Sequence, residues 1–209
     1  MSLRPDQVNA CVGKEDNMKK NSTYKLVVAA MLVAIATVLN QFAVLQLPYG
    51  GGVTIFSQVP IIAISWIFGP AWGLISGFVM SLFQLLFGLS NLSYVKGISS
   101  YLIVILCDYI LPYTLLGLGG IFKDKLRSNY LSLSLGTVLV CVLRLLCHFI
   151  SGVTVWADYT NGNNFGAVAL FSLTYNGGYM LPETIITIIG VSALYKFLFP
   201  RLDKNGAIK

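Results

Sequence analysis

Charged residues are scarce in this sequence. Asp, Glu, Lys and Arg make up 11% of the 209 residues, whereas hydrophobic residues make up 56%. A soluble domain carries roughly 25% charged residues, so this chain lacks the side chains that a water-facing surface needs. A membrane removes that need, and a helix crosses it with about 20 mostly apolar residues. The composition therefore predicts an all-α integral membrane bundle with no room for a second, soluble domain.

Patterns for catalysis or metal binding are missing as well. The single histidine excludes a multi-histidine metal site, and the four cysteines show neither CxxC nor zinc-type spacing. No G-x-S-x-G, HExxH or Walker A motif occurs. We therefore expect no enzymatic activity, no catalytic residue, no metal, no cofactor and no ATP hydrolysis by this chain alone.

Six apolar runs fill most of the chain and predict six transmembrane helices. Breaks rich in glycine, proline or charge separate them, and they extend approximately over residues 26–47, 54–68, 71–89, 100–122, 130–151 and 166–199. The polar flanks predict a cytoplasmic tail, a membrane domain and a second cytoplasmic tail, which are residues 1–22, 23–200 and 201–209.

The positive charges predict the orientation in the membrane. The formal net charge is +6, and 12 of the 14 Lys and Arg residues lie before the first apolar run, in the connection at 123–127 or near the C-terminus. Six crossings place all three regions on one side, which the positive-inside rule makes cytoplasmic. Both termini are therefore predicted to be cytoplasmic. Nucleic-acid binding is not expected, because the charges flank membrane helices and do not form one basic face.

Four ionisable residues interrupt the apolar runs: Asp108, Arg144, His148 and Glu183. Each costs several kcal/mol if it faces lipid, so such groups normally face a bundle interior or a cavity. Arg144, His148 and Ser151 share one helix face. Two interpretations stay open at this point. Asp108 and Arg144 form a structural ion pair with His148 as a core histidine, or these groups converge on a polar pocket.

A pocket built from these residues would suit a flat cation. Asp108 supplies the negative charge, and the aromatic faces of Tyr109 and Trp156 add cation–π attraction. His148 and Asn176 can exchange hydrogen bonds with a planar heterocycle. An anionic substrate fits this set poorly. A stand-alone carrier, in which buried acids and the histidine relay protons, is the alternative.

Three segments, in this order, resemble the thiamine-binding S-components of energy-coupling-factor (ECF) vitamin transporters. They read LCDYIL at 106–111, RLLCHFISGV at 144–153 and YNGGYMLPE at 175–183. The HFISG part of the second segment is the most specific. The resemblance extends over about residues 25–199.

The resemblance implies a six-helix subunit of a bacterial cell membrane that binds thiamine from outside with high affinity. It also implies a membrane scaffold subunit and two ATPases as partners that drive release inward. Small residues of the first run, Ala30 and Ala34, match the face that contacts the scaffold in that family. The residues that match its binding set are Asp108, Tyr109, Arg144, His148, Gly152, Trp156 and Asn176.

This sequence departs from the family pattern at three positions. Some family members carry a glutamate where this chain has Asp108. Phe171 stands where a tyrosine can line the pocket, and Tyr49 is the nearest aromatic to a first-loop tryptophan. We include both in the predicted binding set. The glycine-rich loop 48–52 is predicted to act as a gate, because glycine allows large backbone changes. The alternative function is a proton-coupled carrier of thiamine, a thiamine precursor or another vitamin, with Asp108, His148 and Glu183 as the relay.

Overall fold

Helices make up most of the chain. The computed structural model describes residues 5–157 and 164–204, with side chains described except at 5–21, 49 and 202–204. The helices are α1 (Pro5–Gln41), α2 (Val59–Phe68), α3 (Pro70–Phe87), α4 (Ile98–Val104), α5 (Leu111–Leu115), α6 (Asn129–Thr154), α7 (Phe165–Phe197) and α8 (Phe199–Lys204).

Five helical segments in the described residues are long and apolar enough to cross a membrane: Ser22–Gln41, Pro70–Phe87, Ile98–Leu118, Asn129–Thr154 and Phe165–Arg201. Large apolar side chains on their outer faces are exposed, among them Met31, Ile75, Leu86 and Ile185. No polar shell covers these faces, which suits contact with lipid tails. The structure is a helical membrane bundle, as the composition predicted. The count of six crossings stays a prediction.

The helix in the second apolar run, α2, is too short to cross a bilayer by itself. Its ten residues extend about 15 Å, half of the roughly 30 Å hydrocarbon layer. Residues Val59 to Trp66 are all buried, so α2 lies inside the bundle. Gly69, with φ +96°, then turns the chain directly into α3. The remaining length of this run is not helical.

A short β-hairpin precedes α2, and it is an exception within a mostly helical chain. Strands β1 (Ala43–Gln46) and β2 (Gly52–Thr54) pair antiparallel around a single 3₁₀ turn, Pro48–Gly50. The first apolar run extends to residue 47, but α1 ends at Gln41. Hydropathy could not locate this end, because the strand residues are as apolar as the helix before them. Residues 43–54 are called the hairpin below.

The fourth span is a composite of helix types. After α4, residues Ile105–Ile110 form a π-helical segment, which α5 and a 3₁₀ turn at Leu116–Leu118 follow. Asp108 lies in the π-helical segment. π-Helical turns inside α-helices occur frequently at functional sites, because the extra residue alters the direction of nearby side chains.

Small residues allow α2, α3 and the end of the fourth span to pack backbone against backbone. A Cβ at Gly73 would lie 2.5 Å from the Gly117 carbonyl oxygen. Ser65 joins the same contact, since its Oγ donates to the Gly117 carbonyl (2.5 Å) and accepts from the Gly120 amide (2.9 Å). This packing gives the three elements a fixed arrangement, which supports one wall of the site.

The predicted N-terminal tail is helical where it is described. Helix α1 begins at Pro5 and continues without a break into the span Ser22–Gln41. The tail is therefore continuous with the first span. Its cytoplasmic location, and the boundaries 1–22, 23–200 and 201–209, stay predictions.

Candidate binding site

A cavity of about 530 Å³ opens between the hairpin, α3, the fourth span, α6 and α7. Pockets for small organic ligands have volumes of about 300–1,000 Å³, so this cavity suits such a molecule. The predicted binding residues that line it are Asp108, Tyr109, Arg144, His148, Gly152, Trp156, Phe171 and Asn176. The side chain of Tyr49 lies outside the described residues. Its neighbours Gly50 and Gly51 line the cavity.

Asp108 accepts hydrogen bonds from α6 and from a residue that closely follows it. Its Oδ1 lies 3.0 Å from His148 Nδ1. Its Oδ2 accepts from Ser151 Oγ (2.6 Å) and Trp156 Nε1 (3.4 Å). The side chains of Asp108 and His148 keep 18% and 12% of their surface exposed. The carboxylate is thus held in one orientation by α6 and its following residues, while part of it still faces the cavity.

Arg144 pairs with Glu183 and not with Asp108, so the alternative of an Asp108–Arg144 ion pair is wrong. Arg144 Nη1 lies 3.2 Å from Glu183 Oε2, and both side chains are at least 95% buried. Glu183 Oε1 also accepts from Thr54 Oγ1 (2.7 Å). The physical reason is helix geometry: His148 lies one turn nearer to Asp108, whereas Arg144 faces α7.

Tyr109 fixes the 3₁₀ helix that follows α3, Leu89–Tyr94. Its hydroxyl donates to the Gly88 carbonyl (3.0 Å) and accepts from Asn91 Nδ2 (3.3 Å). Its ring is buried and packs with Trp156 near the cavity. The hydroxyl already makes these two bonds, so Tyr109 offers the cavity mainly its aromatic ring.

Asn176 lies where α6 and α7 approach closely. Its Nδ2 donates to the Ser172 carbonyl (2.9 Å), and its Oδ1 accepts from the Tyr179 hydroxyl (3.0 Å). A Cβ at Gly152 would lie 2.0 Å from Ser172 Oγ, so only glycine permits this contact. Gly152 therefore acts by allowing the approach of α7, which brings Asn176 beside His148.

Several residues that line the cavity were not in the predicted set. Asn40 Nδ2 donates to Gln84 Oε1 (2.7 Å), which joins α1 to α3. Phe171, Tyr175 and Tyr179 form an aromatic row along α7, with ring centroids 6.0 Å apart at each step. Their spacing of four residues was a usable signal for the row. The side-chain amides of Asn40 and Gln84 carried no comparable signal in the sequence, because polar residues at helix ends are common.

Ala30 and Ala34 lie on the outer surface of α1 and do not touch the cavity. Both are exposed, whereas Ala29, Val33 and Ala36 on the opposite face are buried. The small residues thus lie where another membrane helix could approach closely. Within the described residues, no group of three or more His, Cys, Asp or Glu side chains could hold a metal ion.

The fold and the cavity together define a class: a multi-pass helical membrane protein with an internal site that holds the Asp108 carboxylate beside the His148 imidazole, a buried Arg144–Glu183 pair and several aromatic rings. Residues 26–202 match the family described as Thiamine transporter protein (Thia_YuaJ). The chain belongs to this thiamine transporter family, as the sequence resemblance predicted.

Relatives and solved structures agree with this assignment. The chain is 31% identical to the thiamine transporter ThiT of Bacillus subtilis (strain 168) over 192 residues, 87% of this chain and 94% of that one. Its fold is similar to that of ThiT from Listeria monocytogenes, with a TM-score of 0.68, 21% identity and coverage of 87% and 97%. It is also similar to the S component of a bacterial ECF transporter, with a TM-score of 0.52, 22% identity and coverage of 88% and 98%.

Proposed function

We propose that this chain is the substrate-binding membrane subunit of an ECF-type importer and binds thiamine from the outside of a bacterial cell membrane with high affinity. The observation that carries the proposal is the Asp108 carboxylate at the cavity wall, held between His148 and Trp156. The family membership and the transport activity named for the B. subtilis relative support it.

The charges around the cavity suit thiamine, which joins a positively charged thiazolium ring to an aminopyrimidine. Arg144 and Glu183 neutralise each other. Asp108 is then the acid available to a ligand cation, with aromatic faces beside it. His148 and Asn176 provide hydrogen-bonding groups near the same wall. The site thereby offers one negative charge and a polar edge to one flat cation.

The proposal also includes a membrane topology of six crossings and three partner subunits, which are a scaffold and two ATPases. Six crossings with cytoplasmic termini follow if the hairpin and α2 together make one crossing. Non-helical backbone at membrane depth is tolerated where it is buried or lines a cavity, and β2 meets both conditions. The exposed face with Ala30 and Ala34 would contact the scaffold subunit, and two ATPases would drive inward release.

Titration of the purified chain with thiamine tests the proposal through quenching of tryptophan fluorescence. Saturable quenching is expected, and its absence would overturn the proposed function. In Asp108→Asn, affinity should fall about 30-fold or more, because losing one partner of a desolvated charge contact costs about 2 kcal/mol or more. Asp124→Asn is the matched control, since Asp124 lies in the basic connection away from the cavity. Unchanged affinity in Asp108→Asn would remove the proposed role of Asp108.

A stand-alone proton-coupled carrier is the second candidate, and the 3.0 Å contact between Asp108 and His148 favours it. Glu183, the third member of the predicted relay, is bound instead to Arg144 and Thr54. Vesicles that contain this chain alone, with a pH gradient and no ATPases, separate the two candidates. Thiamine accumulation there would support the carrier, and binding without accumulation would support the ECF subunit.

The fluorescence titration, repeated with the pyrimidine half of thiamine, tests whether a precursor is the substrate.

A further inference from the structure

The hairpin forms one wall of the cavity. Seven of its residues line the cavity: Ala43, Gln46, Leu47, Gly50, Gly51, Gly52 and Thr54. On β1, Val44 and Leu45 are exposed, whereas Val53 on β2 is buried against α7. The hairpin is thus a thin cover that is attached to the bundle mainly through β2 and the turn.

One side chain holds both ends of the turn. The Tyr175 hydroxyl donates to the Pro48 carbonyl and accepts from the Gly51 amide (3.3 Å). A single hydroxyl can serve as donor and acceptor at once. These two bonds connect residues 48 and 51 to the middle of α7, across more than 120 residues of chain.

Gly51 shows how closely the turn is seated. Its φ and ψ of −72° and 144° are open to any residue, so the backbone does not require glycine here. A Cβ would, however, lie 2.9 Å from both the Tyr175 hydroxyl and Tyr179 Cε1. Glycine at position 51 therefore allows the turn to lie close to α7, where a side chain would clash with the two tyrosines.

The base of the hairpin is held differently from its turn. Thr54 Oγ1 donates to Glu183, which is paired with Arg144, and Thr54 also shares a hydrogen bond with Ser57 (2.5 Å). Hydrogen bonds to charged groups are roughly twice as strong as neutral ones. The turn is held to α7 by hydrogen bonds between neutral groups, so it separates from α7 more easily than the base of the hairpin does.

We propose that Tyr175 is the positioning residue that latches this cover closed, and that its hydroxyl sets how long a ligand stays in the cavity. The ring of Tyr175 stacks on Phe171 of the cavity wall (6.0 Å between centroids, 20° between planes). The latch therefore joins the cover to the wall that a ligand contacts. Because a ligand must pass the cover both to enter and to leave the cavity, the hydroxyl slows association as well as dissociation. This inference rests on the proposed function for the identity of the ligand.

Tyr175→Phe tests the latch, since it keeps the ring and the Phe171 stack while removing both hydrogen bonds. Stopped-flow fluorescence with thiamine should show roughly tenfold faster dissociation, because each neutral hydrogen bond accounts for about a two- to twelvefold change. The association rate should rise as well, because the cover opens more often in the free protein. Tyr130→Phe is the matched control, because its hydroxyl contacts Ser192 on an exposed surface away from the cavity.

Hydrogen exchange of the ligand-free protein tests the same latch without thiamine. In Tyr175→Phe, amides of residues 47–54 should exchange faster, and those of α6 should not change. Gly51→Ala should act in the same direction by wedging the turn off α7, whereas Gly177→Ala, with open space around it, should not.

The two measurements keep the latch and the proposed function separable. If the wild-type chain does not bind thiamine, the proposed function is overturned and hydrogen exchange alone decides the latch. If it binds thiamine but Tyr175→Phe dissociates at the wild-type rate, the latch is overturned. Faster exchange spread equally over α6 and α7 would also overturn it, since the hydroxyl would then stabilise the whole fold.

Discussion

Two acid–base contacts lie between α6 and its neighbours, and they differ in their access to the cavity. Asp108 and His148 keep 18% and 12% of their side-chain surface exposed, whereas Arg144 and Glu183 keep 5% and 3%. The first pair faces space that a ligand can enter. The second joins α6, α7 and the base of the hairpin. The same chemistry is therefore partly open to the cavity in one place and fully buried between elements in the other.

The two contacts differ because different groups are available to compensate each charge. A ligand cation can compensate Asp108 when it enters the cavity. Arg144 and Glu183 have only each other and a few neutral partners among the described side chains, such as Thr54. Breaking a buried ion pair by removing one partner leaves an uncompensated charge. Substitutions at the two contacts should thus separate into effects on stability and effects on affinity.

Glu183→Gln should give the largest effect, and it acts on stability. The free energy of unfolding should fall by about 3–5 kcal/mol, because Arg144 keeps its charge without a charged partner. For a chain of this size, 3 kcal/mol corresponds to a melting temperature about 6–12 °C lower. Thermal unfolding in detergent measures it. Adding Arg144→Met should restore part of the loss, and a single variant as stable as the wild type would contradict the assembly role.

Asp108→Asn should show the opposite pattern. Its affinity for thiamine should fall about 30-fold or more, as stated above, while its melting temperature stays within about 3 °C of the wild type. The amide keeps the shape and still accepts hydrogen bonds from Ser151 and Trp156. A large fall in melting temperature without a change in affinity would remove the distinction between the two contacts.

Phosphate esters of thiamine should bind more weakly than thiamine, by about tenfold or more. Arg144 and His148 are the basic side chains among the described residues that line the cavity, and each already contacts an acid. A phosphate would add negative charge without a free cation to meet it, which costs about 1.4 kcal/mol for each factor of ten. Isothermal titration with thiamine and its monophosphate measures the ratio, and equal affinities would show that Arg144 leaves Glu183 for the ligand.

Phe171→Tyr should give the smallest effect. The added hydroxyl can make one neutral hydrogen bond at the cavity wall, so thiamine should bind about two- to threefold more tightly with unchanged stability. Phe165→Tyr, at the exposed start of α7, is the control. Weaker binding in Phe171→Tyr would mean that the apolar edge of Phe171 is itself part of the fit.

The membrane class and most helix positions could be predicted from hydropathy alone. The apolar runs at 100–122 and 166–199 correspond to the spans Ile98–Leu118 and Phe165–Arg201. The hairpin was missed, because residues such as Val44 and Leu45 are as apolar in a strand as in a helix. The π-helical segment around Asp108 was missed for a similar reason, since helix types share the same residue preferences locally.

The predicted binding residues whose side chains the structure describes line one cavity, but their partners did not follow from spacing. Helical periodicity placed Arg144 and His148 on one face of α6. It could not say which acid each one meets, because that depends on how α6 packs between the fourth span and α7. Tyr175 and Tyr179 were also outside the predicted set. Their spacing of four residues from Phe171 was a usable signal for an aromatic row, but their contact with Gly51 is visible only in the tertiary structure.

The sequence by itself determined that this protein is a membrane bundle, which few polar side chains lie inside it, and which family it belongs to. These properties depend on composition, period and local motifs, which are readable along the chain. Only the tertiary structure decided that Asp108 meets His148, that Arg144 meets Glu183, and that Tyr175 holds the hairpin. Such contacts join residues 39 to 127 positions apart, and packing between helices, which no local pattern encodes, brings them together.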